Sequence, residues 1–269
     1  MKLVVLISCM HQEDTSIIER SNVQTDAVVV NQCDKDEILD FDYINKKGDK
    51  CHVRFINTTE RGLSKSRNMA ISNAWGDIIL LCDDDEVFTD DYESSVIHQF
   101  ETHPSFSIIA FKLIYERKKF GDKEQVFNRF TATSLSSAQL AFKRNEILKT
   151  DVVFDTMLGS GSGNGGGEEN KYMFQLLGKG LKVIYVPVLI AEIKSNGPSL
   201  WFEGYTDQYI INEGWCYRRI FGTVYSYPLL WYHALKHVRT YNRSFLNNLY
   251  LLHKGYFEQR HCNRYKQND

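Results

Sequence analysis

The stretch that most constrains this chain is an apolar run, Ile78-Ile79-Leu80-Leu81-Cys82, that stops abruptly at four acids, Asp83-Asp84-Asp85-Glu86. An unbroken apolar run of this length, preceded by the turn-like Trp75-Gly76-Asp77, reads as a strand buried on both faces. Such a strand needs sheet neighbours on each side and covering layers above and below. Four carboxylates at its tip repel one another unless something positive sits there. A hard divalent cation, held by one or two carboxylates and completed by water and phosphate oxygens, would meet that need. A solvated acidic loop after a strand is the alternative this stretch leaves open.

The preceding runs follow the same rule. Lys2 to Ser8 is an apolar strand ending in a polar loop, and Asp26 to Asn31 is a second, followed by Gln32-Cys33-Asp34. Val53 to Ile56 makes a third short strand. Thr15 to Asn22 and Ser64 to Trp75 carry helical patterns, the latter with Ser64 as N-cap. The first ninety residues therefore alternate strand and helix, which predicts a mostly parallel α/β sheet flanked by helices, Rossmann-like in layout. Ligands of such sheets bind beyond the carboxyl ends of the strands, so the loops after Ser8, at Asp34 and at the acids should converge on one crevice.

Further on, a helix is expected over Asp91 to Thr102, a strand over Ser107 to Tyr115, an exposed charged loop or hairpin over Glu116 to Glu124, a strand over Ser137 to Phe142 and a short helix over Arg144 to Thr150. Phe154-Asp155 leads into a glycine-rich run, Gly159 to Gly167, then Glu168-Glu169, a helix over Asn170 to Leu177 and a strand Leu181 to Val186 closed by Pro187. A glycine-serine run can be a plain linker; held between core elements it reads as part of an active site. From Trp201 the chain is rich in tyrosine, tryptophan and arginine, with helices expected over Trp215 to Phe221 and Pro228 to Tyr241. From Pro228 to the end, seven Lys and Arg stand against two acids. That region either packs an aromatic face on the main domain or rests on an anionic membrane.

The 269 residues suit one large domain, or one domain with an appendage. A net charge of −2 argues against whole-surface attraction to nucleic acid. Six cysteines without a CxxC pair are neither a disulfide framework nor a zinc pattern, and point to a reducing compartment. The Leu3 to Ile7 run is short for a signal peptide, and no stretch approaches membrane-spanning length. The expected location is the cytoplasm, with peripheral contact at the inner face of the membrane as the option for the C-terminal region.

Three linked segments resemble the family 2 glycosyltransferases, with their A-type nucleotide-sugar-dependent fold. Gly62-Leu63-Ser64-Lys65-Ser66-Arg67-Asn68, continuing through Gly76-Asp77 to Asp83-Asp84-Asp85, is similar to the family's Arg-Asn helix and DxD motif. The first strand with its polar turn, then the run from Asp26 to Asp36, is similar to the family's nucleotide-binding strands. Phe154-Asp155, Gly165-Gly166-Gly167-Glu168-Glu169 and Gly180 to Pro187 are similar to its Gly-Gly-Glu-Asp helix and following strand.

The resemblance implies a catalytic domain over residues 1–200, with a nucleotide-binding half (1–90) and an acceptor half (91–200), and a helical extension over 201–269. It implies Mn2+ or Mg2+ at Asp85 and Asp83, with Asp83 or Asp84 on the ribose or donor sugar. Arg67 would lie near the nucleotide, and Ser8, His11 and Asp34 would line the base and ribose pocket. Glu169 stands where the family has its catalytic aspartate, and Glu168 precedes it as a contact to sugar hydroxyls. The implied activity is metal-dependent, inverting hexosyl transfer from a nucleotide-diphosphate sugar, with UDP-sugars first, to a saccharide or lipid-linked saccharide, as in bacterial surface polysaccharide assembly.

The chain departs from the pattern in places. Ser8-Cys9-Met10-His11 replaces a proline and tyrosine turn, Asn31 and Gln32 stand where acids usually meet the nucleobase, and the base is a glutamate. Plain readings compete at each position: helix-start charge for Glu168 and Glu169, an exposed helix charge for Arg67, a loop histidine for His11, a turn former for Asp34. Two other functions stay open: a sugar- or nucleotide-binding relative without catalysis, and a sugar-1-phosphate nucleotidyltransferase. The second is disfavoured because the first loop contains no glycine to hold a triphosphate.

Overall fold

The computed structural model describes residues 1–116, 121–194 and 204–260. Its centre is a ten-stranded mixed sheet. Strands β1 (Leu3–Met10), β2 (Asp26–Gln32), β4 (Lys50–Thr58) and β5 (Ile78–Asp83) pair in parallel, with β3 (Glu37–Ile44) antiparallel on the outer side of β4. Beyond β5 come β9 (Leu140–Lys143), β7 (Ile108–Ile114) and β10 (Val183–Ile193). Two short strands, β6 (Glu86–Phe88) and β8 (Gln125–Phe127), pair antiparallel with β10.

Successive side chains of a strand point to opposite faces, so each buried strand feeds two layers. On β1, Val5 and Ile7 pack with α1 (Ile17–Arg20) and α3 (Tyr92–Thr102), through Ile17, Tyr92 and Phe100. Val4 and Leu6 pack in the opposite layer with α2 (Leu63–Asn73) and α5 (Glu168–Gly178), through Ala70, Tyr172 and Leu176. Each large apolar side chain fully removed from water contributes about 1.5–3 kcal/mol. This two-sided burial fixes the register of the strands, and with it the position of the loops at their carboxyl ends.

Several elements differ from the sequence expectations. The stretch after Asp34 holds a strand, β3, joined to β4 by a hairpin turn in which Asn45 accepts from the backbone N–H groups of Lys47 and Asp49. Its mostly exposed edge position explains its charged composition. Ser64 is not the N-cap of α2; Gly62 occupies that position. Residues Ser137–Gln139 form a 3-10 turn before β9, and α4 (Arg144–Leu148) follows. Strand β10 continues past Pro187 with a register irregularity between Tyr185 and Leu189. Part of the charged 116–124 loop, and the start of the region at Trp201, lie outside the described residues.

The C-terminal region is a helical pair. Helix α6 (Asp207–Lys236) contains the first expected helix and most of the second in one merged element, with non-helical backbone at Gly222 between them. The short α7 (Val238–Tyr241) then leads to α8 (Phe245–Phe257), which the sequence reading did not resolve. Helices α6 and α8 cross where Gly214 meets the backbone of Leu252 and Gly255 meets that of Ile211; a Cβ at Gly255 would lie 1.8 Å from the Ile211 carbonyl oxygen. Leu158, Phe174, Trp215, Cys216 and Ile220 form the apolar seam that joins this pair to the sheet domain.

Candidate active site

The carboxyl ends of β1, β2 and β5 enclose a cleft of about 460 Å³. Ser8, Cys9 and Met10 line one side and Gln32 and Gly62 another, with Asp83, Asp84 and Asp85 at the third; Ser160 and Gly161 of the glycine-rich loop complete it. Ser8 and the three aspartates thus meet as the sheet order requires. Asp34 is exposed and paired with Arg61 at 2.5 Å, and His11 is exposed; neither is among the cleft-lining residues. Asn31 is fully buried in a structural network, where its amide donates to Asn57 Oδ1 at 2.8 Å. Gln32, not Asn31, faces the cleft, and its Oε1 accepts the Gly62 N–H at 2.6 Å.

Helix α2 organises the site. Ser64 Oγ donates to the Leu158 carbonyl at 2.7 Å, and Asn68 makes reciprocal bonds with the backbone of Phe154 at 2.8 and 2.9 Å. Both contacts anchor the approach to the glycine-rich loop. Ser66 Oγ donates to Ser8 Oγ at 3.0 Å. Arg67 is 2% exposed, so the exposed-charge reading does not hold. Its guanidinium donates to Glu168 Oε1 at 2.8 Å, to Asp83 Oδ1 at 2.9 Å and to Ser137 Oγ at 2.8 Å. Burial opposes that charge, but the Asp83 and Glu168 carboxylates outweigh it and keep Arg67 cationic.

The acids divide into distinct environments. Glu86 is 1% exposed, and its Oε1 accepts the Asp83 N–H at 2.9 Å. Burial, then the charge of Asp83, raises its pKa well above its ordinary value, and its side chain is a buried latch on the strand end rather than a fourth exposed acid. Strand β5 ends at Asp83, and Asp84 and Asp85 sit in a turn, so alternation along an extended chain does not separate them. Both are exposed, and burial of part of each carboxylate followed by the charge of Asp83 raises their pKa values. Neither pairs with a basic residue among the described residues. The three aspartates are a crowded, all-oxygen set of the kind that suits a hard divalent cation completed by phosphate or water oxygens; among the described residues no group of three or more acidic, histidine or cysteine side chains is placed to hold a metal ion by itself.

Glu168 and Glu169 open α5 after Gly167, which has φ +91°. Glu168 is buried against Arg67, whereas Glu169 is partly exposed and has no ion pair among the described residues. Burial and the adjacent Glu168 carboxylate push Glu169 up to about 8, against the opposing pull of Arg67. A Cβ at Gly159 would come within 3.1 Å of both Glu168 Cδ and Ser64 Oγ, so the loop's glycine allows it to close over this helix start. Ser137 and the ion pairs of Asp155 with Lys171 and Arg219 carry no signal that sequence reading can rank; Gln32, expected just after the Asp26 to Asn31 strand, is the last residue of β2.

A family model described as glycosyl transferase family 2 matches residues 15–157. The chain belongs to that family. This glycosyltransferase shares its fold with S. aureus TarS 1–349 in complex with UDP-GlcNAc, at 16% identity and a TM-score of 0.57 over 82% of this chain and 67% of that one. TarS 1–349 in a second structure matches at 11% identity and a TM-score of 0.58, covering 94% and 90%. The mannosyltransferase PcManGT from Pyrobaculum calidifontis, in complex with GDP-Man and Mn2+, matches at 15% identity and a TM-score of 0.51, covering 94% and 69%. Comparison with curated proteins finds no match.

Proposed function

We propose that this glycosyltransferase moves a sugar from a nucleoside-diphosphate sugar, a UDP-sugar first, to a hydroxyl of a saccharide or lipid-linked saccharide, with inversion at the anomeric carbon and with Mn2+ or Mg2+ on the donor diphosphate. The observation that carries this reading is Arg67, which ties the cleft acid Asp83 to Glu168 at the start of α5, beside Glu169, whose pKa burial and the Glu168 carboxylate raise. The ionised form of such a carboxyl is a stronger base than an ordinary carboxylate, and its population grows as pH rises toward the raised pKa. Glu168, held by Arg67, orients the helix start. TarS is solved with UDP-GlcNAc and PcManGT with GDP-Man and Mn2+, so the fold accepts this class of donor.

Ser8 and Gln32 would bound the nucleoside end of the donor, with Asp83 and Asp85 at the diphosphate. A bound cation supplies positive charge to the departing diphosphate without a proton transfer. Glu169 accepts the acceptor hydroxyl's proton as that oxygen attacks, and a single displacement of this kind inverts the anomeric centre. A thermal-shift screen of nucleotide sugars with and without Mn2+ identifies the donor, because a ligand of the folded state raises its stability by mass action. Donor binding with no turnover over a broad acceptor panel would instead mark a binding relative without catalysis.

We infer in addition that the C-terminal helices rest on an anionic lipid surface. From Gly214 to Phe257 the chain has no Asp or Glu, and it carries Arg218, Arg219, Lys236, Arg239, Arg243 and Lys254. Over α6 and α8, Val224, Trp231, Leu235, Leu246, Tyr250 and Phe257 are exposed, from 47% to 79%. Among the described residues no helix is long and apolar enough to cross a membrane. Exposed apolar and aromatic side chains on a stretch without Asp or Glu suit the interface instead.

A further inference from the structure

A second pocket, of about 440 Å³, shares no lining residue with the donor cleft. Lys171, Arg218, Arg219 and Arg260 line it around Trp215. The Trp215 ring lies between two guanidinium groups, Arg219 at 5.4 Å and Arg260 at 5.2 Å from its centroid. Both of those guanidinium edges are held by carboxylates, Arg219 on Asp155 and Arg260 on Glu258, whereas Arg218 donates from Nη1 to the Tyr256 carbonyl at 3.0 Å and pairs with no carboxylate among the described residues.

Two carboxylates belong to the same surroundings, and each is already taken. Asp155 is bound by Lys171 and by Arg219, the latter at 2.6 Å, and Glu258 is bound by Arg260. Four cations against two carboxylates leave an excess of about two positive charges in a concave site. The pocket is also coupled to the catalytic helix. Lys171 stands one turn along α5 from Glu168, and Arg260 Nη1 donates at 3.2 Å to the carbonyl of Asn164, in the loop that contributes Ser160 to the donor cleft.

We propose that this pocket binds a phosphate group carried by the acceptor. The excess charge matches a phosphate mono- or diester, and the Arg218 guanidinium and the Lys171 ammonium keep N–H groups for its oxygens. The volume leaves room for the polyol or sugar attached to it. The phosphate could belong to a soluble acceptor or to a lipid headgroup. The acceptor half of this inference rests on the transfer reading above, but phosphate binding itself can be measured without turnover.

The test is calorimetric titration of the full chain with inorganic phosphate and with glycerol 3-phosphate, in chelator, so that no cation can recruit phosphate to the acidic cleft. Wild type should bind both, more weakly as salt rises, and the double variant Arg218→Gln/Arg260→Gln should bind about tenfold or more weakly, as expected for losing charge-assisted bonds. The thermal shift with nucleotide sugar and Mn2+ serves as the control for folding and for the donor site. Sedimentation with phosphatidic acid vesicles that glycerol 3-phosphate competes away would assign the phosphate to a lipid; binding of glycerol 3-phosphate without such competition would assign it to a soluble acceptor. Absence of phosphate binding in wild type, or equal binding in a folded double variant, overturns the proposal. Failure of the donor shift with phosphate binding intact would fault the transfer reading instead.

Discussion

Arg67 Nη1 and Glu168 Oε1 lie 2.8 Å apart although 101 positions separate them in the chain, and both side chains are buried. Removing one partner of a buried pair leaves an uncompensated charge, which costs about 3–5 kcal/mol. Arg67→Met should therefore lower the melting temperature strongly and, in protein that still folds, reduce transfer more than donor binding. Lysine presents one point of charge in place of a fork, so Arg67→Lys cannot serve Glu168, Asp83 and Ser137 together and should rescue only part of the loss. Calorimetric melting with parallel kinetics checks both variants. A stable, fully active Arg67→Met would contradict the linking role.

The adjacent glutamates should separate by pH. A base works when deprotonated, so turnover should rise with pH through the folded pKa of Glu169, above its ordinary value of 4.5. The stability sign is opposite: a carboxyl with a raised folded pKa favours the fold below its unfolded pKa, and that contribution is lost as pH rises through the folded one. Glu169→Gln should lose about 10²–10⁴ in turnover with donor binding retained. Glu168→Gln removes the neighbouring negative charge and should move the rising limb to lower pH. An unchanged pH profile in Glu168→Gln would count against this assignment of the two.

The helical pair depends on the glycine crossing. Gly255→Ala would set a Cβ against the Ile211 carbonyl, with backbone on both sides and no flexible side chain to yield. Overpacking of this kind costs about 1–3 kcal/mol or more. A fall in melting temperature is expected, with donor-induced stabilisation retained because the donor cleft lies in the sheet domain; an unchanged melting temperature would show that the helices separate freely.

The lipid-facing reading is checked by vesicle sedimentation. Wild type should bind phosphatidylglycerol vesicles and not phosphatidylcholine vesicles, and Trp231→Ser/Leu235→Ser should bind less. The two side chains are 47% and 65% exposed, so the substitutions should leave the fold intact. Equal binding by the double variant would remove this face as the contact.

Much of the catalytic half was legible because buried parallel strands announce themselves as unbroken apolar runs. Their carboxyl ends then placed Ser8 and Asp83 to Asp85 together. Strand β3 escaped because an exposed edge strand carries charges at positions that burial would otherwise mark. The role of Glu86 escaped because four adjacent acids look alike until one of them is folded inward to accept a backbone N–H. Arg67 drew attention through its motif, but its partners Glu168, Asp83 and Ser137 meet it only through tertiary packing of segments far apart in the chain. Helix α8 was missed because its residues carry no strong terminal signal beyond Ser244, and its buried face is set by the crossing with α6.

The central claim is a cation-dependent nucleotide-sugar cleft at Asp83 and Asp85, and the most direct measurement is the melting temperature with a panel of nucleotide sugars, with and without Mn2+, in wild type and Asp85→Ala. One donor should raise the melting temperature of wild type with Mn2+ and much less in chelator, and Asp85→Ala should lose that difference while melting near the wild-type value without ligand. No stabilisation by any nucleotide sugar with Mn2+, or an equal cation-dependent shift in Asp85→Ala, would contradict it.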